Sequence, residues 1–238
     1  MVHCPCAVDK DALIRSEREE VPNGEVEALA KAMEQELLAG RTEIIDRAFQ
    51  ADGGPKPLLL FSPQTGLVGD PTLEILHLYW LQLCEKARSQ AKDLPLTGSF
   101  DPLEITPALP LSMLLDVVDG GADFRYRVYG REIAERFGQD MSGRTITEMP
   151  VMAHIGAFFL AVYRVSMQKR CAVLSEHAPP PAVSVTHWRR LIMPLVNGEG
   201  SVTRFVVGNI PGTQRWPRPR NAGPGTLAPI AWTSGMRD

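Results

Sequence analysis

The sequence predicts an α+β chain, a five-stranded antiparallel sheet with helices on one face, preceded by amphipathic N-terminal helices. Three observations point to it. Two strand-like runs, residues 113–118 and Asp123–Tyr129, flank Asp119-Gly120-Gly121, turn chemistry that tolerates positive φ and reverses a chain. Residues 186–196 and 201–210 flank Asn197-Gly198-Glu199-Gly200, a second hairpin. Between the hairpins, residues 151–168 place Phe158, Phe159, Val162 and Val165 at helical spacing. Successive hairpins favour antiparallel pairing, and a helical crossing between them is the order of an α+β sheet.

Composition narrows the function classes. With 238 residues the chain can bury a sizeable core, and a net charge of -3 gives no pull toward nucleic acid or anionic membrane. The most apolar stretch, residues 151–167, is interrupted by His154 and Arg164 and falls short of the roughly 18 residues that a span requires. Cys4, Cys6, Cys84 and Cys171 are too scattered for a disulfide scaffold, and no signal peptide opens the chain, so a cytoplasmic location with reduced thiols is expected.

Residues 1–22 mix charges with Pro5 and Pro22 and read as a flexible leader; His3, Cys4 and Cys6 have no second ligand pair at zinc spacing, so no metal is expected. From Asn23 to Phe49 the pattern is helical, with Val26, Leu29, Met33 and Leu37 on one stripe and a break at Gly40. Residues 51–69, with Gly53, Gly54, Pro55, Pro57, Pro63 and Gly66, read as a linker holding one short apolar piece, Leu58–Phe61. Asp70 is an N-cap and Pro71 suits the first helical position of the next helix. Its stripe of Leu73, Leu76, Trp80, Leu83 and Ala87 can pack on the chain's own sheet or pair with the same helix of a second subunit, and its length decides neither. The domain then runs over residues 70–210. In the second hairpin arm, Phe124, Tyr126 and Val128 alternate with Asp123, Arg125 and Arg127, giving one apolar and one polar face. Ile133, Ala134 and Phe137 turn the period helical until Gly138. Residues 171–177 read as a strand, Pro179-Pro180-Pro181 as an extended loop, and residues 211–238 as a flexible tail rich in Pro, Gly and Arg.

Several of these pieces resemble one family. Trp80, Phe100-Asp101-Pro102, Leu109-Pro110, LLDV at 114–117, DFRYRVYG at 123–130 and FGQDMSG at 137–143 resemble the PAS-domain family of short stand-alone alphaproteobacterial proteins, formerly a domain of unknown function. LIMPL at 191–195, followed by Gly198 and a last strand, extends the resemblance over residues 70–210. The resemblance implies a sensory or regulatory module whose helices and sheet enclose a small cavity, with no catalytic residue.

The candidate cavity residues are Tyr126, Phe137, His154, Phe158 and Trp188. Tyr126 lies on the apolar face of its strand and its hydroxyl needs a partner, in the core or on a ligand. His154, on the helix that covers the sheet, is either a cavity polar group or a satisfied core histidine. Phe137, Phe158 and Trp188 are candidate pocket walls, and aromatics at such spacings belong to a core far more often than to a haem or flavin box, so the cofactor is left unknown. Arg125 and Arg127 are expected in solvent or paired with Glu132 and Glu135. The chain has no GxSxG, Walker A, GxGxxG or HExxH motif, and His3, His77, His154, His177 and His187 are dispersed, so no enzyme is expected. The expected function is ligand sensing with output through a signalling protein partner. The alternative is a ligand-free dimerisation or adaptor protein whose interface is Leu73, Leu76, Trp80 and Leu83.

Overall fold

Six strands form one antiparallel sheet in the order β1-β4-β5-β6-β2-β3, where β1 is Leu58–Phe61, β2 Ser112–Val118, β3 Asp123–Tyr129, β4 Val173–His177, β5 His187–Val196 and β6 Val202–Gly212. The helices are α1 (Asn23–Leu38), α2 (Glu43–Ala51), α3 (Pro71–Arg88), α4 (Arg131–Phe137) and α5 (Ala153–Lys169). This computed structural model describes residues 23–179, 183 and 185–212. The expected leader, its cysteines, two of the three consecutive prolines and the tail from residue 213 lie outside the described residues.

Both expected hairpins form. Asp119, Gly120 and Gly121 all take positive φ, at 45°, 66° and 102°, the geometry that the Asp-Gly-Gly turn supplies. The sheet has six strands, one more than expected, because the apolar piece of the linker adds β1 to the outer edge of β4. Pro57 and Pro63 bracket that strand and keep it short, since neither can donate to a ladder. The other sheet edge, β3, is covered by the segment that follows α4: Tyr126 N–H donates to Arg144 O at 2.9 Å and Ile146 N–H to Phe124 O at 3.0 Å. The last strand runs two residues past its expected end at residue 210, through Pro211 and Gly212.

Helices cover both faces of the sheet, whereas the sequence pointed to one. β5 is buried at every position and has no polar face to give to solvent. On one face, α5 lays Tyr163 against Phe124 and Phe205, with ring centroids 5.0 and 5.2 Å away. On the other, α3 sits so close that a Cβ on Gly208 would lie 2.4 Å from Leu73 and 2.6 Å from Leu76. Asp70 caps α3 as expected, accepting from Thr72 N–H at 2.8 Å and Leu73 N–H at 3.3 Å.

This arrangement settles how the α3 stripe is used within the chain. Leu73, Leu76, Trp80 and Leu83 are all buried, and Trp80 Nε1 donates to Pro194 O at 3.0 Å. A dimer seam through these four side chains would require α3 to leave its own sheet. The N-terminal helices, set apart in the sequence, are likewise joined to the sheet domain. Arg164 of α5 reaches Glu27 of α1 at 2.8 Å and the carbonyls of Gly121 and Ala122 in the β2–β3 turn at 2.8 and 2.6 Å.

Candidate functional site

Polar side chains converge on the α5 face where β4, β5 and β6 run side by side. The β4–β5 register sets Ser175 opposite Arg190 and His177 opposite Trp188, and the β5–β6 register sets Arg190 opposite Asn209. Cross-strand partners project to one face, so the serine, the arginine and the asparagine form a row. Above them α5 presents Phe159 and Tyr163, four residues apart and therefore on one side of the helix. The Arg190 guanidinium carbon lies 3.9 Å over the Phe159 ring. The His177 ring is 5.1 Å from that of Phe159 and 5.8 Å from that of Phe158.

These polar groups are buried and incompletely bonded. Arg190 is 4 % exposed, and its Nε and Nη1 have no hydrogen-bond partner; the same holds for His177 Nδ1 and Asn209 Oδ1, while Tyr163 Oη has the Arg190 guanidinium beside it and no other polar partner. An unsatisfied buried polar group costs about 1–3 kcal/mol, and an uncompensated buried charge several. Such atoms are rare in a settled core, which makes their grouping the most informative feature of the molecule. The electrostatics follow from burial and from the guanidinium. Burial, reinforced by the neighbouring Arg190, pushes His177 well below its ordinary pKa, so the ring is neutral. Burial raises the Tyr163 phenol to about 12 against the opposing pull of Arg190, and raises Tyr126 and Tyr129 in the same way. Arg190 brings a guanidinium cation among these neutral groups.

The other buried arginines are different. Arg164 holds Glu27 and, at 3.9 Å, Glu34, while Arg189 holds Glu176 at 2.9 Å and Gly69 O at 3.3 Å. Among the described residues, no carboxylate pairs with Arg190 in this way.

The residues expected at the site are distributed unevenly around this cluster. Tyr126 lies on the same sheet face, fully buried, and donates its hydroxyl to Met149 Sδ at 3.0 Å, a weak acceptor. Phe158 is buried against His177 and Phe49. Trp188 is buried at the end of β5, opposite His177. Phe137 is only half-buried and meets Tyr129 at 6.4 Å, on the periphery. His154 is not a polar group of the cluster. It sits in the first turn of α5, with Nδ1 3.0 Å from Asp52 Oδ2 and its ring edge-on to Phe49. Arg127 pairs with Asp116 at 3.1 Å, and Glu132 and Glu135 lie by Arg136 and Arg131 of their own helix, correcting the expected partners. Arg190, Asn209 and Tyr163 were not singled out by sequence, and Phe159 and His177 were noted there only as a helical apolar position and a dispersed histidine, not as site residues. The available signal was the Arg189-Arg190 pair inside the apolar run of β5, since alternation sends one arginine to each face of a strand.

The family profile described as PAS domain matches residues 69–210. The chain belongs to the PAS-domain family. No curated protein and no solved structure matches it. The matched residues begin just before α3 and contain β2 to β5 and β6 as far as Ile210, so the converging strands and α5 lie within the PAS domain, whereas β1 and the helices α1 and α2 precede it. No described helix is long and apolar enough to cross a membrane.

Proposed function

We propose that this PAS domain is a cytoplasmic sensory or regulatory module that binds a small molecule between α5 and the β4–β5–β6 face and signals through a protein partner. It acts by binding and not by catalysis. The observation that carries the proposal is the group of buried, incompletely bonded polar side chains Arg190, Tyr163, His177 and Asn209 within an otherwise aromatic core. Native mass spectrometry of the purified chain tests it: the expected result is a non-covalent adduct lost on denaturation. Absence of any adduct, together with no thermal shift across a metabolite panel, would overturn ligand binding.

A second reading, a ligand-free adaptor, draws on the outward face of α3. Ile75 and Leu78 are 40 % and 45 % exposed there, and Leu67, 42 % exposed, is brought close by the Gly66 N–H bond to Glu74 Oε1. A partner contact through these residues differs from the seam the sequence suggested, and it is compatible with ligand-gated output.

A further inference from the structure

We infer that the Arg190 cluster holds a small organic acid, one carboxylate on an apolar body. This inference rests on the reading of the core as a ligand site and adds the chemistry of the ligand.

The carboxylate follows from charge and direction. Arg190 is a permanent cation, buried, and no carboxylate among the described residues pairs with it. Its flat side is covered by Phe159, which leaves the in-plane N–H donors of Nε and Nη1 as the groups that meet a ligand. Tyr163 Oη adds a neutral donor beside it. Donors of this kind suit a carboxylate, whose two oxygens accept several hydrogen bonds, and charge-assisted bonds are the stronger ones.

The number of charges follows from what else faces the site. Among the described residues, Arg190 acts electrostatically on His177, Tyr126, Tyr129 and Tyr163, all uncharged at neutral pH, and the carboxylates of Asp123 and Asp140 reach only the tyrosines of β3. One cation matches one negative charge, and a phosphate dianion would bring a second with no counter-charge. The apolar body follows from the walls, since Phe124, Phe158, Phe159 and Phe205 line the same face. Asn209 Oδ1 remains as an acceptor for a hydroxyl or N–H on that body.

The test uses the full chain with four probes: benzoate, hexanoate, the uncharged analogue benzamide, and inorganic phosphate. Binding is read by thermal shift and calorimetry, with native mass spectrometry of the protein as isolated. Benzoate or hexanoate should stabilise the wild type saturably, and benzamide and phosphate should not. Arg190→Met should weaken the acid at least about tenfold, the scale of losing one charge-assisted contact. Tyr163→Phe should weaken it by a smaller factor, which provides a second variant should the first fold poorly. Benzamide or phosphate binding as well as benzoate, or an unchanged acid response in Arg190→Met, would overturn the organic-acid inference while leaving ligand binding intact. Should no probe bind, an isolated adduct that is an acid supports the inference, and a non-acidic adduct overturns it alone. No probe binding and no adduct would overturn both.

Discussion

Arg189 and Arg190 are neighbours on β5, both buried, and treated in opposite ways by the two faces of the sheet. On the α3 face, Arg189 is held by Glu176 and a loop carbonyl; on the α5 face, Arg190 lies on an aromatic ring with no carboxylate beside it. The first arrangement is complete within the protein. The second is complete only when something else supplies acceptors. Sequence chemistry is identical at the two positions, so the difference belongs to the packing around them.

The contrast is broken most forcefully by removing one charge on each face. Glu176→Gln leaves Arg189 without its counter-charge and should destabilise the fold by about 3–5 kcal/mol, measured by urea denaturation without added ligand. Arg190→Met should cost nothing or stabilise by about 1–2 kcal/mol in the same experiment, because it removes a buried charge that no described carboxylate balances. Equal losses for the two variants would erase the distinction between the faces.

A smaller effect sharpens the α5 face. His177 is held neutral in the fold by burial and by Arg190, whereas the unfolded chain protonates it near its ordinary value of 6.5. Below that pH the unfolded state binds the extra proton, so stability falls as pH falls, by up to about 1.4 kcal/mol per pH unit for one such group. His77 and His154 are lowered chiefly by burial and add to the same slope. His177→Phe should flatten part of the slope between pH 6.5 and 5, and an unchanged slope would show that the ring is charged in the fold.

The smallest effect lies outside both faces. The hydrogen bond from Arg170 holds the Asp93 carboxyl below its ordinary value, so its contribution is present above about pH 4 and is lost as pH falls through the depressed pKa. Asp93 is largely exposed, and Asp93→Asn should remove only about 0.5 kcal/mol at pH 7. Chemical denaturation at pH 7 and pH 3 checks that this difference vanishes in acid.

What could be read from the sequence follows the range of the interactions. The hairpins and the start of α3 rest on local chemistry, Asp119-Gly120-Gly121 and Asp70-Pro71, and the structure contains both. β1 was read as linker because four apolar residues between prolines acquire a partner only when β4 offers its edge. Tyr126 and Phe158 were visible through alternation and helical spacing. Arg190 was not, because its burial depends on α3 and α5 closing both sides of β5, a tertiary fact. His154 was placed by the helix that carries it, but the first turn of α5 lies over Asp52 and away from the cluster.

Tyr163 and Arg164 are consecutive on α5 and point about 100° apart, as successive helical residues must. The tyrosine looks into the sheet, while the arginine looks outward to α1 and the β2–β3 turn. A small roll of α5 about its own axis moves both side chains together. One turn of α5 is thereby tied at once to the aromatic face of the sheet through Tyr163 and to the N-terminal helix α1 through the Arg164–Glu27 pair.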